Sequence, residues 1–381
     1  MTTKFKSAML AAAQLTSAGS LTAATAAIQR ALAGEFAAPT PHAPAGPFAR
    51  TGGAGYGTVI DVDARWVDTE PATSRAAGKA QSAQEAQSAP PAPPSRTAVG
   101  RTLTGTYRAP AGSRDYLLHL PPQVASGVRL PMVVMLHGCT QSPEDFAAGT
   151  GMNQLADAHG FIVLYPGQSR SANQNGCWNW FNPRDQRAGA GEPSIIAGMV
   201  REMVGTHPVD VGRIHIAGLS AGGAMAALLA EAYPDLFAAV AVHSGLAPGA
   251  AHDLSSALNA MKRGASGAIA NRGRGKPVRT MVIHGRQDRT VHPANGQQLV
   301  DGALAAWPAG GLTATQETLR SPGGRSYTRT LHSDAAGIAM VEQWEVQGAG
   351  HAWSGGSSGG SYTDPIGPDA SAAIAGFFGV R

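Results

Sequence analysis

The sequence predicts an α/β protein built on a doubly wound, mostly parallel sheet, and three observations lead there. Short continuous apolar runs recur from about residue 130 onward, as "PMVVMLHG", "FIVLYP", "RIHIAG", "AAVAVHS", "VRTMVIHG" and "MVEQWEVQ". Amphipathic or alanine-rich stretches of helical length fall between them. Charged residues make up only 14 % of the chain, so the folded part must be densely apolar. Strands that are apolar on both sides need cover on both faces, and helices alternating with them supply it. In such a sheet, sites lie beyond the carboxyl ends of the strands.

Taken in order, residues 1–35 read as a short helical hairpin. Phe5, Met9, Ala12 and Leu15 fall on one face, Gly19 breaks the pattern, and Leu21, Ala24, Ile28 and Leu32 form a second face. A signal peptide is the competing reading, opposed by Gln14, Thr16 and Ser17 inside the apolar stretch. The hairpin buries little alone and needs a partner surface: the core domain, a second copy, or an apolar particle. Residues 36–100 lose periodicity and end in "AQSAQEAQSAPPAPPSRTA", a composition that cannot offset its ordering entropy and reads as a flexible linker. Residues 101–381 form the predicted α/β domain. It opens on "RDYLLHLP", which alternates as an edge strand does, and closes with a helix from about Asp364 to Phe378. Residues 250–276 form either a small cap over the site or a surface insertion, and their Gly/Arg-rich end reads as a mobile loop.

Composition excludes several functions. The net charge of +4 is spread thinly, with no Lys/Arg run interleaved with aromatics, so no nucleic-acid partner is expected. No stretch reaches the ~18 uncharged apolar residues of a membrane span. Two cysteines, Cys139 and Cys177, are too few for a disulfide scaffold or a four-ligand zinc site.

The informative motif is Gly218-Leu219-Ser220-Ala221-Gly222, a G-x-S-x-G at the joint of a predicted strand and a predicted helix. A turn this sharp strains the serine, and only residues without a Cβ pack beside it without collision. A serine hydroxyl is a poor nucleophile and needs a base, itself oriented by a carboxylate. In the α/β-hydrolase order that this motif resembles, the acid follows and the histidine comes last. Asp288, in "VIHGRQDRTVHP", lies just past a strand end; its rivals Asp253 and Asp334 sit in a surface insertion and in a polar turn between predicted strands. His351, in "VQGAGHAWSGG", lies on a glycine-flanked loop after the last strand, whereas His243 and His284 end earlier strands and His292 follows Asp288 too closely. Backbone N–H groups of Ala221 and Cys139 are the expected oxyanion donors, and His137 reads as a structural loop residue.

With these residues in place, the chain resembles the polyhydroxybutyrate (PHB) depolymerase family of α/β-hydrolase esterases. The resemblance covers roughly residues 105–380 and rests on "LHGCTQ", "NGCWNWF", "GLSAGGAM", "HGRQDRTVHPANG", "GAGHAWSGG" and "SYTDPIGPDAS" in order. It implies ester hydrolysis through an acyl-enzyme on Ser220, with Asp288 and His351 as partners and no metal or organic cofactor. Substrate is left between hydroxyalkanoate polyesters and, as in related feruloyl and acetylxylan esterases, acylated plant polysaccharide. Trp178, Trp180, Phe181 and Trp353 are candidates for an apolar cleft floor, against a packing role beneath a long loop. Cys139 and Cys177 either pair, tying two motifs together, or stay free. The resemblance is nearest to depolymerases without an export signal, which implies a cytoplasmic protein touching a storage granule through the hairpin. A disulfide would argue instead for the periplasm or outside of the cell. A non-catalytic granule-binding protein is the remaining alternative.

Overall fold

A computed structural model describes residues 99–265 and 276–381. The predicted hairpin at 1–35, nearly all of the predicted linker at 36–100, and the end of the insertion lie outside the described residues. The first strand begins at Arg101.

Ten strands form one sheet: β1 (Arg101–Ala109), β2 (Gly112–Leu120), β3 (Leu130–Leu136), β4 (Ile162–Pro166), β5 (Val209–Leu219), β6 (Ala239–His243), β7 (Arg279–Gly285), β8 (Thr313–Arg320), β9 (Ser326–Ser333) and β10 (Ala339–Val346). Their order is β1-β2-β4-β3-β5-β6-β7-β10-β9-β8. The six central strands, β4 to β10 in that order, run parallel, and antiparallel hairpins flank them on both sides. The segment "RDYLLHLP" is therefore one strand in from the edge. Its neighbour β1 takes the rim, with its outer residues largely exposed.

The central strands are apolar throughout because the two sides of each serve different cores. In β3, Met132, Val134 and Leu136 join a cluster with Met199 and Val200 of α3 (Gly191–Thr206) and with Met225 and Leu229 of α4 (Ala221–Ala232). Val133 and Met135 face the other way, toward Phe146 of α1 (Pro143–Thr150), Met152 of α2 (Met152–His159) and Ile374 of α7 (Ala370–Phe378). Period-2 alternation on a strand covered twice yields an unbroken apolar run.

Two helices complete the chain. The capping box of Asp253 and Ser256 starts α5 (Leu254–Arg263), so the insertion is helical ahead of its Gly/Arg-rich end. α6 (Ala294–Ala305) follows β7. The last helix starts at Ala370, later than the periodicity suggests, because Asp369 caps it and Thr363–Asp364 are taken up pairing with Trp353–Ser354.

The chain leaves β3 for the face carrying α1 and α2, whereas β5 leads into α4 on the opposite face. β3 and β5 are neighbours, so the loops after them diverge and open a crevice at the carboxyl ends. Pairing aligns the strand ends there: Leu136 with Gly218, Leu219 with His243, His243 with Ile283, and Gly285 with Val346. Ser220, Asp288 and His351 all follow within a few residues of this line.

Candidate active site

β5 ends at Leu219 and α4 begins at Ala221, so Ser220 alone makes the turn, with φ 57° and ψ −120°. Few non-glycine residues adopt a positive φ, and this one is held in place by its surroundings. The Ser220 N–H donates to the His243 carbonyl at 2.9 Å. The flanking glycines are required by close approach. A Cβ on Gly218 would lie 2.4 Å from the Gly222 carbonyl carbon, and one on Gly222 would lie 2.1 Å from the Leu136 carbonyl oxygen. Any side chain at either position would push α4 off the sheet.

The contact at Gly222 also brings the loop after β3 against the elbow, where a Cβ on Gly138 would meet the Ser220 Cβ at 3.5 Å. That loop is well anchored. Gly138 N–H donates to Gln141 Oε1 at 2.9 Å, and Thr140 N–H donates to the Asn175 carbonyl at 2.8 Å. A disulfide joins Cys139 to Cys177 across 38 residues. Neither the Cys139 N–H nor the uncapped Ala221 N–H is taken up by another described residue.

Asp288 and His351 meet because β7 and β10 are neighbours and Gly285 lets their loops touch. A Cβ on Gly285 would lie 2.5 Å from the Ala349 carbonyl oxygen and 2.6 Å from that of Gly350. Arg286 and Gln287 N–H groups donate across the gap to Val346 and Ala349 carbonyls, both at 2.9 Å. The result is a 2.6 Å bond from His351 Nδ1–H to Asp288 Oδ2. The other carboxylate oxygen accepts Thr290 N–H at 2.9 Å and Val291 N–H at 2.8 Å. Burial by itself would push the Asp288 carboxyl up; the bonds from His351 and Val291 and the facing His351 and His284 outweigh it and hold the group below its ordinary value. Ser220 Oγ makes no hydrogen bond to His351 in this structure. Such contacts commonly tighten only around substrate.

The rival groups have other work. Asp253 caps α5, and Asp334 accepts Ala336 and Ile338 N–H groups in an exposed turn. His243 Nε2 accepts from Ser354 N–H at 3.0 Å, its ring stacks on Trp353, and burial drives its pKa down to about 3, so it stays neutral. His137 is likewise buried, bridging the Gly138 carbonyl and the Gln168 N–H. His292 is exposed and accepts Ala294 N–H ahead of α6.

The aromatic floor is corrected by burial. Trp178 is 0 % exposed and donates through Nε1 to the His137 carbonyl, and Trp353 is 1 % exposed between His243 and Phe146, with Nε1 on Ser371 Oγ. Trp180 is 6 % exposed within the core. The indoles of Trp178 and Trp353 pack beneath the loops that follow β3 and β10, and all three present almost no surface. Phe181, packed edge-on against Trp180, is the one of the four left half-buried.

The sequence reading also missed what holds the "NGCWNWF" loop. Glu192, buried at the start of α3, accepts from Arg114, Gln168 and Asn179, and its second oxygen accepts the Asn179 N–H at 2.7 Å. These four residues lie far apart in sequence and carry no common motif. Beside the loop after β3, a cavity of about 440 Å³ is lined by residues that include Thr140, Gln141, Asp145, Gln168, Arg170 and Ser361. Among the described residues, no group of three or more His, Cys, Asp or Glu side chains is placed to hold a metal ion. No described helix is long and apolar enough to cross a membrane.

Residues 114–317 match the family model described as Esterase PHB depolymerase. A poly(3-hydroxyalkanoate) depolymerase C from Paucimonas lemoignei is 32 % identical over 267 residues, covering 68 % of this chain and 63 % of the relative, so the chain spans somewhat less than two thirds of that protein. A feruloyl esterase B from Thermothelomyces thermophilus is 31 % identical, covering 61 % of this chain and 82 % of the relative. Among solved structures, an acetyl xylan esterase from Aspergillus awamori superimposes with a TM-score of 0.58 at 22 % identity, covering 74 % of this chain and all of that one. That likeness is one of fold.

Proposed function

The chain belongs to the Esterase PHB depolymerase family of the α/β-hydrolase superfamily, and on that footing we propose that it hydrolyses carboxylic esters through an acyl-enzyme on Ser220. The observation carrying the proposal is the strained elbow serine at the same end of the sheet as the buried Asp288 and its hydrogen-bonded partner His351. His351 takes the Ser220 proton as the hydroxyl oxygen attacks the ester carbonyl, and Asp288 holds the imidazole with Nδ1 protonated so that Nε2 faces the serine. The Cys139 and Ala221 N–H groups receive the developing oxyanion. His351 then protonates the departing alkoxide. Water, deprotonated by the same imidazole, attacks the acyl-serine and releases the acid.

The preferred substrate is a hydroxyalkanoate polyester or its oligomers, supported by the family match and the depolymerase relative. The second reading, a feruloyl or acetylxylan esterase, draws support from the feruloyl esterase relative and from the polar cavity beside the oxyanion loop, whose hydroxyl, amide and charged walls suit a sugar. Purified protein offered amorphous PHB granules beside feruloylated arabinoxylan and acetylated xylan, with Ser220→Ala as the blank, separates them. Hydroxybutyrate release alone supports the first reading. Ferulate or acetate release with inert granules transfers the protein to the second, and no Ser220-dependent release from any ester removes both in favour of a non-catalytic binder.

The Cys139–Cys177 disulfide supports an oxidising compartment over the cytoplasm. Alkylation of intact cells before lysis tests that placement, because free thiols at these positions would show a reduced protein. Granule contact through residues 1–35 is a separate proposal, tested by co-sedimentation with and without that segment.

A further inference from the structure

A second histidine stands behind the acid. His284, the next-to-last residue of β7, is 4 % exposed on a strand whose other buried side chains are apolar or threonine. Its Nε2 lies 2.8 Å from the Val291 carbonyl oxygen, which can only accept, so Nε2 carries the proton. The same N–H end lies 3.5 Å from Asp288 Oδ2, the oxygen that receives His351. Val291 in turn donates its N–H to Asp288 Oδ1. The ring therefore pins both ends of the turn that presents the carboxylate.

The remaining nitrogen, Nδ1, is buried without a hydrogen-bond partner. Behind it Gly296 of α6 packs so closely that a Cβ there would lie 2.8 Å from Nδ1 and 3.1 Å from Cγ. A site of packing alone would avoid an unsatisfied buried nitrogen, which costs about 1–3 kcal/mol. Local rules broken in this way concentrate at functional sites. Burial pushes the ring's pKa down, helped by the facing His351 and His292 and opposed by the Val291 hydrogen bond and by Asp288.

We infer that His284 is a positioning residue: it holds the Asp288 carboxylate in register with His351 by clamping the Val291 carbonyl and presenting its N–H to Oδ2. This rests on the reading of Asp288 as the acid of the hydrolytic site. His284 touches no reacting atom, and its effect is transmitted through Asp288.

The test compares His284→Leu, His284→Gln and Gly296→Ala with wild type and Asp288→Asn. Readouts are kcat and KM on a p-nitrophenyl ester and the low-field proton resonance of His351 Nδ1–H. His284→Leu should lower kcat about 10- to 100-fold with KM little changed, and should shift or abolish the resonance. His284→Gln, which keeps an N–H donor, should recover most of kcat. Gly296→Ala pushes the ring from behind and should lower kcat several-fold, with a modestly earlier melt because the overpacking is only partly offset by alanine's preference for the helix. If His284→Leu does not fold, the alanine variant alone decides. A folded His284→Leu or Gly296→Ala variant with wild-type kcat and an unmoved resonance overturns the inference, provided Asp288→Asn is inactive. An active Asp288→Asn would instead bring down the reading of the acid itself.

Discussion

Replacing Gly285 by alanine should disable the site from a position that touches neither substrate nor any of the three proposed catalytic groups. The added Cβ would stand 2.5 Å and 2.6 Å from the carbonyl oxygens of Ala349 and Gly350, whereas ordinary contact begins at 3.4 Å. Both obstacles are backbone, so the loop carrying His351 must withdraw by roughly 1 Å. The 2.6 Å bond from His351 to Asp288 has no slack to absorb that movement. A misplacement of about 1 Å in a catalytic group costs about a hundredfold in rate, or about 2.7 kcal/mol in the barrier. Overpacking should also lower stability by about 1–3 kcal/mol. The assay is kcat/KM on p-nitrophenyl butyrate together with a thermal melt. Gly205→Ala is the control, because nothing lies within 4 Å of the added Cβ there. Wild-type kcat/KM in a folded Gly285→Ala variant would refute the claim that close loop contact aligns the pair.

Other perturbations test other parts of the structure. His215 is buried with neither ring nitrogen bonded, stacks on Phe378 at 4.7 Å, and is pushed down to about 3 by burial and by Arg279 and Arg213. Since the native ring stays neutral while the unfolded one takes a proton below its ordinary value of 6.5, stability should fall as pH drops from 6.5 toward 3, by about 2 kcal/mol at pH 5 from this group. His215→Phe should therefore flatten the loss of urea resistance between pH 7.5 and 5, His243 keeping its own share; an unchanged pH slope would contradict the assignment. Reduction, or Cys177→Ser, should lower stability by about 3–4 kcal/mol by the chain-entropy estimate for a 38-residue loop, read as an earlier urea midpoint. Because the disulfide braces the loop that carries the proposed oxyanion donor Cys139, kcat should fall as well. Glu192→Gln removes the buried charge that Arg114 faces at 3.1 Å and should destabilise by about 3–5 kcal/mol, checked by thermal melting.

Local chemistry made much of this protein legible before any coordinates. Six apolar runs each became a parallel strand, because a strand covered on both faces has to be apolar on both, and that requirement is written in consecutive residues. The elbow was readable because the G-x-S-x-G pattern is local, although the steric limits behind it are only partly so: Gly218 answers to Gly222, whereas Gly222 answers to the Leu136 carbonyl of the neighbouring strand. Chain order was enough to single out Asp288 and His351, which the fold then brought to a hydrogen bond. The aromatic residues went the other way. For Trp178 and Trp353 the sequence leaves a cleft floor and a packing role both open, because exposure depends on what the fold lays over a side chain, and it lays His137, His243 and Phe146 there.

The fold class and the serine at the sharp turn could thus be read from consecutive residues, through periodicity and a short motif, while the choice of Asp288 and His351 followed the chain order of the family the sequence resembles. Folding in three dimensions was needed to show which aromatic side chains are spent on packing, that Cys139 meets Cys177, and that His284 and Gly296 stand behind Asp288. Those contacts join residues brought together by sheet order and helix packing, and nothing in the spacing along the chain encodes them.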